Sequence, residues 1–280
     1  MGKFGVKSVL FAGNGEPLLH PDIGELIYTA RAAGMDVALV TNGVLLKERV
    51  TPLTLSCLTW IKVSVDAGTA KTHAAIHGTS EKDFAKILAG LQHLVSVRTR
   101  GANIKTTIGV QMVLLPENKG EALSLAMDMR AIGVDYLAIK PYTVAPQSDN
   151  GIAVEFDGDE LIDLKWDLED QESDTFKVIF RVDTIADMER DRVYDKCFAA
   201  PFWAYIDEKG DIWGCYDYLG DDRFRYGNIG DDNNGWYGSG DEVRAAMDEA
   251  CPTCRRGCRM DKANQYLWEL LHPDPHVNFI

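Results

Sequence analysis

The chain has 280 residues, 46% of them hydrophobic, and a formal net charge of -14. That length permits one large domain or two smaller ones, with enough apolar residues for a core. The acidic balance argues against a nucleic-acid surface and against anionic membranes, since a phosphate-tracking face needs clustered Lys and Arg. No apolar stretch is long enough to span a bilayer, and the opening Met-Gly-Lys-Phe-Gly-Val-Lys is not a secretory leader, so the expected location is the cytoplasm.

In chain order, an apolar run from Ser8 to Ala12 ends in the turn Gly13-Asn14-Gly15-Glu16-Pro17. Asp22 and Glu25 form a capping-box arrangement that predicts a helix closed by Gly34. Val37 to Val40 reads as a buried strand ending in Thr41-Asn42-Gly43, and Leu45 to Leu55 as a short helix. Trp60 to Asp66 is the next strand. His73 and His77 share a helical spacing, but no third ligand lies near and Gly78 ends the segment, so a plain helical pair is the better reading than a metal site. Ser80 and Asp83 open a longer helix to about Arg98; Ile104 to Leu115 is a strand, followed by a helix with Asn118 and Glu121 at its start. Leu137 to Lys140 is the fifth strand, stopped by Pro141.

Apolar strands alternating with amphipathic helices predict an α/β fold with a parallel sheet covered by helices. The polar residues gather where strands stop: Asn14 and Glu16, Thr41 and Asn42, Ser64 and Asp66, Glu117, Lys140. Parallel α/β folds place ligands at that end of the sheet.

The last third carries five of the six cysteines: Cys197, Cys215, and the run Cys251-Pro-Thr-Cys254-Arg-Arg-Gly-Cys258. A hairpin pair and a Cys-x2-Cys turn can converge on one metal ion or cluster. Disulfides fit exported chains better than this one. Cys57 stands alone and reads as a small buried apolar residue. Trp203, Tyr205, Trp213, Tyr216 and Tyr218 surround the Cys197–Cys215 hairpin and read as its core.

At these residues the chain resembles a family. Phe11 to Leu19 is similar to the Gly-Gly-Glu-Pro segment of radical S-adenosylmethionine (SAM) enzymes, with Asn14 where that family often has Gly. Ser64-Val65-Asp66-Ala67-Gly68 looks like their ribose motif. Ile108-Gly109-Val110-Gln111 and Ile139-Lys140-Pro141-Tyr142 are similar to their adenine-side segments. Cys197-x12-Gly210-x4-Cys215 with Cys251-x2-Cys254 resembles the auxiliary-cluster module called Twitch, the shorter relative of SPASM.

The resemblance implies a partial (β/α)6 TIM-like barrel over residues 1–150, a connecting segment with the last barrel elements over 151–190, and a small cysteine-rich α+β cluster domain over 191–280. It implies SAM held by Gly13, Asn14, Gly15, Glu16, Pro17, Thr41, Asn42, Ser64, Asp66, Ile108, Val110, Gln111 and Lys140. In chemical terms, Glu16 suits an amino group, Ser64 and Asp66 suit ribose hydroxyls, Ile108 and Val110 suit the adenine, and Lys140 suits a carboxylate. It also implies an auxiliary [4Fe–4S] cluster on Cys197, Cys215, Cys251 and Cys254, with Cys258 competing for the last place. The expected activity is radical chemistry on a small polar, carbohydrate-like substrate, with flavodoxin or ferredoxin as electron donor. The family's Cys-x3-Cys-x2-Cys motif occurs nowhere in these 280 residues, so the chain looks truncated at its amino end. The alternative expectation is a non-catalytic barrel with a structural zinc site.

Overall fold

The structure is a computed structural model that describes residues 1–13, 15–101, 103–142, 158–181, 191–231, 240–254 and 257–277. The chain divides into two compact units, Met1–Tyr142 with Val154–Val182, and Thr143–Ala153 with Asp183–Ile280.

The first unit is built on a six-stranded parallel sheet in the order β1-β2-β3-β4-β5-β6. The strands are Ser8–Phe11, Asp36–Thr41, Trp60–Ser64, Thr107–Leu114, Tyr136–Pro141 and Lys177–Phe180. The sixth was not specified by the sequence pattern; four residues flanked by acidic chain leave too short a run to read. The helices are α1 (Ile23–Ala32), α2 (Leu46–Arg49), α3 (Pro52–Cys57), α4 (Ala70–His77), α5 (Glu81–Arg100), α6 (Ala122–Ile132) and α7 (Gly158–Glu169). The helix expected from Leu45 to Leu55 is two pieces. Pro52 lacks an N–H to continue α2 and instead opens α3, whose first turn Thr51 caps through Thr54 N.

Strand order that simply follows chain order has one consequence for the site. Right-handed crossovers repeated in one direction put every helix on the same side of the sheet. The helix contacts agree: α1 touches α3, α3 touches α5, α5 touches α6 and α6 touches α7, a single layer in chain order. Strand residues alternate accordingly. Val37, Leu39, Ile61, Val63, Ile108, Val110, Met112, Leu137 and Ile139 are fully buried. Their alternates Val40, Trp60, Lys62, Ser64, Gln111, Val113, Tyr136 and Lys140 are half-buried, on the face these helices leave uncovered.

The second unit holds a three-stranded antiparallel sheet, β7 (Tyr205–Ile206), β8 (Asp211–Trp213) and β9 (Arg225–Asn228), with α8 (Gly240–Ala250) and α9 (Asp261–Leu271). Gly210 turns the β7–β8 hairpin at φ 83°, a conformation that excludes most side chains. Ala200, Phe224, Val243 and Met247 form the core, and Cys197, Cys215, Tyr218 and Tyr226 pack against it.

Candidate functional site

The C-terminal strand ends of the first unit are tied together by carboxylates. Glu16 Oε1 accepts from Leu18 N at 2.9 Å and from the Thr41 hydroxyl at 2.6 Å, and Oε2 accepts from Asn42 N at 2.7 Å. This clasp fixes the turn after β1 to the end of β2. Asp66 Oδ1 accepts from Val113 N at 2.6 Å, Oδ2 lies 3.3 Å from His77 Nε2, and the Asp66 carbonyl accepts from Asn118 Nδ2 at 2.8 Å. Asn118 therefore braces strand ends and does not cap α6 with its side chain. Glu121 collects Gly68 N, Thr69 N and the hydroxyls of Thr69 and Thr72. Burial raises its pKa, but the hydroxyls of Thr72 and Thr69 and the two amides outweigh that and hold it below the usual carboxylate range.

These contacts sort the residues singled out from the sequence. Gly13 and Gly15 are exposed, and a Cβ on Gly15 would meet nothing, so the turn has room above it. Asn14 lies outside the described residues. Pro17 starts the 3-10 turn Pro17–Leu19 that Glu16 caps. Glu16, buried Thr41 and buried Asp66 direct their polar atoms inward, to main chain and to each other; Asn42 stays exposed. Ile108 and Val110 are fully buried on the helix-covered face, so their side chains do not reach the uncovered one. The reason is the two-residue period of a strand: Gly109 and Gln111 are the members of that segment on the uncovered face. Ser64, Gln111 and Lys140 do share that face.

Lys62 belongs with them and was not picked out. Its Nζ donates to Gln111 Oε1 at 2.8 Å and stands 5.8 Å from the centre of the Trp60 ring. The available signal was period-two alternation in Trp60-Ile61-Lys62-Val63-Ser64, which places the only charge of that strand beside Ser64. A depression of about 320 Å³ is lined by Pro21, Asp22, Glu25, Glu48, Arg49 and Thr51.

In the second unit the five cysteines feel one another. Cys258 acts electrostatically on Cys197, Cys215, Cys251 and Cys254. Burial pushes the Cys215 and Cys251 thiols up to about 12 and raises Cys197. Cys254 hydrogen-bonds to Cys258, which raises the first and lowers the second to about 7. Asn264 Nδ2 reaches Cys197 Sγ at 3.7 Å while its Oδ1 accepts from Ala199 N at 2.8 Å. Arg192 donates to the carbonyls of Cys251 and Cys254, pinning the Cys-x2-Cys turn, and Tyr194 donates to Asp261. Soft donors that resist ionising alone are suited to a cationic centre that stabilises thiolates. Among the described residues no three His, Cys, Asp or Glu groups stand close enough to share a single metal ion.

The fold and site define a singly wound parallel β/α sheet with a clasped glycine turn and polar strand ends. The profile described as Radical SAM superfamily matches residues 1–129. That match spans just under half of the chain. It is similar to the GTP 3',8-cyclase of Aquifex aeolicus, 29% identical over 168 residues that cover 58% of this chain and 49% of that protein. It is also similar to the mycofactocin maturase MftC of Mycobacterium tuberculosis, 35% identical over 97 residues, 34% of this chain and 24% of that one. The chain thus spans half or less of the length of these relatives. The crystal structure of Streptococcus suis SuiB bound to S-adenosylmethionine matches with a TM-score of 0.60 at 16% identity, covering 88% of this chain and 56% of SuiB, a likeness of fold. Among the described residues no helix is long and apolar enough to cross a membrane.

Proposed function

We propose that this chain supplies the SAM-binding sheet and an auxiliary-cluster unit of a radical SAM enzyme. The observation that carries the reading is the clasp: Glu16 ties the chain that follows β1 to the end of β2, beside Ser64 on the adjoining strand. The exposed turn offers main-chain carbonyls to the SAM amino group, Ser64 and Asn42 offer hydrogen bonds to the ribose, and the face beside Gln111 suits the adenine. In this division of labour Glu16, Thr41 and Asp66 position the turns that contact ligand.

SAM bound to a reduced cluster supplies a 5'-deoxyadenosyl radical. These 280 residues do not fit the SAM-cleaving cluster, whose three-thiolate motif they lack. They do fit an auxiliary [4Fe–4S] cluster, held by four of Cys197, Cys215, Cys251, Cys254 and Cys258. Five thiols that act electrostatically on one another support that reading. The substrate is a small polar molecule, as the name of the similar GTP 3',8-cyclase suggests, with flavodoxin or ferredoxin as electron donor in a cytoplasmic setting.

Anaerobic purification tests the second unit. The protein should be brown, with iron and sulfide in equal amounts, and Cys215→Ala should lose most of both; full retention, or a colourless protein with one zinc, removes the cluster. Equilibrium dialysis tests the first unit. Ser64→Ala should weaken SAM binding by about tenfold, the worth of one good hydrogen bond; unchanged binding removes Ser64 from the site.

A further inference from the structure

We infer that the uncovered face of the first unit carries an oxyanion subsite for substrate, built by Lys62, Gln111 and Lys140. The inference rests on the reading of that face as the ligand face. Register places the three residues on one diagonal. Ser64 pairs with Gln111 across β3 and β4, and Val113, one rung further, pairs with Lys140 on β5. Lys62 starts one rung below Ser64, yet its ammonium reaches Gln111 Oε1 at 2.8 Å. The charge therefore stands level with Ser64, at the rung where ligand is expected. The Trp60 ring, 5.8 Å away, flanks its stem and further limits its swing.

Chemistry narrows the ligand. The two lysines stand on the strands that flank the side-chain amide of Gln111. Lys62 and Lys140 stand two strands and four residues apart in register, so with strands about 4.8 Å apart and a rise of about 3.3 Å per residue their backbones are roughly 16 Å apart, and the lean of Lys62 onto Gln111 brings its charge toward Lys140. Gln111 offers an N–H pair to the same ligand, while its oxygen holds Lys62. A phosphate or carboxylate satisfies all three; a neutral sugar does not. The setting adds weight, because a chain of net charge -14 repels anions in general, and a local pair of cations restores attraction at one place. The substrate expected on this reading is anionic, in place of a neutral carbohydrate.

The test uses the full chain with ¹³C-labelled lysine, followed by NMR while inorganic pyrophosphate or succinate is added. Lys62→Met and Lys140→Met assign the two signals. Both should shift together and saturate in the millimolar range, with Lys62→Met weakening the apparent affinity at least tenfold and Lys62→Arg retaining most of it. Saturation by pyrophosphate alone identifies a phosphate site, and by succinate alone a carboxylate site. Shifts that grow linearly, as those of exposed Lys47 should, overturn the subsite. SAM is then added separately. If anions saturate the lysines but SAM leaves Ser64 and Gly15 amides unmoved, the subsite stands and the SAM reading falls. If Lys62→Met abolishes SAM binding and SAM displaces both anions, the lysines serve the cofactor's carboxylate and the substrate assignment falls.

Discussion

Glu16 and Asp66 sit where the sequence places polar residues at strand ends, Glu121 at the start of the following helix, and all three accept from main-chain amides, with hydroxyls added for Glu16 and Glu121 and His77 beside Asp66. The pattern of residue types marks the rim of the sheet, but it does not carry the direction in which a carboxylate turns. That direction depends on which amides the neighbouring strand leaves unpaired, a property of register. His73 makes the same point. Its ring is 4% exposed, its centroid is 4.5 Å from that of His77, and its Nδ1 has no hydrogen-bond partner among the described residues. Burial and then His77 lower its pKa from 6.5, against smaller opposing pulls from Asp66 and Asp83; Phe84 closes the other side. The unfolded chain binds a proton near 6.5 that the folded chain refuses, so stability is present above that pH and is lost as pH falls through it toward the folded value. Urea denaturation midpoints should drop between about pH 7 and 5. His73→Phe should flatten that slope; an unchanged slope would place its cause elsewhere.

At the level of elements, the sequence gives away β1 to β5 and the long α5 because their apolar periodicity is regular. The resemblance alone does not carry which face of a strand a residue lies on. Ile108 and Val110 are the apolar residues of β4, and apolar character suggested the adenine; alternation puts them under the helices and leaves Gly109 and Gln111 facing out. Gly109 has a packing reason as well. A Cβ there would fall inside the ring of Tyr136, its register partner on β5. Gly109→Ala should therefore cost about 1–3 kcal/mol of stability, the usual range for overpacking. Chemical denaturation would show it, and Tyr136→Ala in the same chain should recover part of the loss. A neutral Gly109→Ala would mean that the ring is not seated on the strand.

For the whole molecule, length alone left one domain or two open, and the division came from the resemblance, helped by five cysteines that concentrate beyond residue 196 while the strand–helix alternation ends near Pro141. The convergence of those cysteines on one neighbourhood was legible from spacing; the central place of Cys258 was not, since it depends on how the turn after Cys254 folds back. The 280 residues alone should not release 5'-deoxyadenosine from SAM under reductant, because a cluster ligated by four cysteines has no open iron. Chromatographic assay decides this. Several turnovers per chain would mean that one tail cysteine leaves a coordination place open.

The strand order of the first unit also bears on how the chain reaches this state. Every ladder joins strands that are consecutive along the chain, so no pairing has to wait for a distant segment. The longest closure within the sheet, from β3 to β4, is shortened by α4 and α5 forming in between. Loop-closure entropy is therefore lost in small instalments, each followed at once by a ladder and a helix contact. Such a sheet can grow outward from β4 and β5, its most extensive ladder, adding one strand at a time in either direction. The rim that receives ligand is completed last where it is farthest from that centre, at the glycine turn after β1.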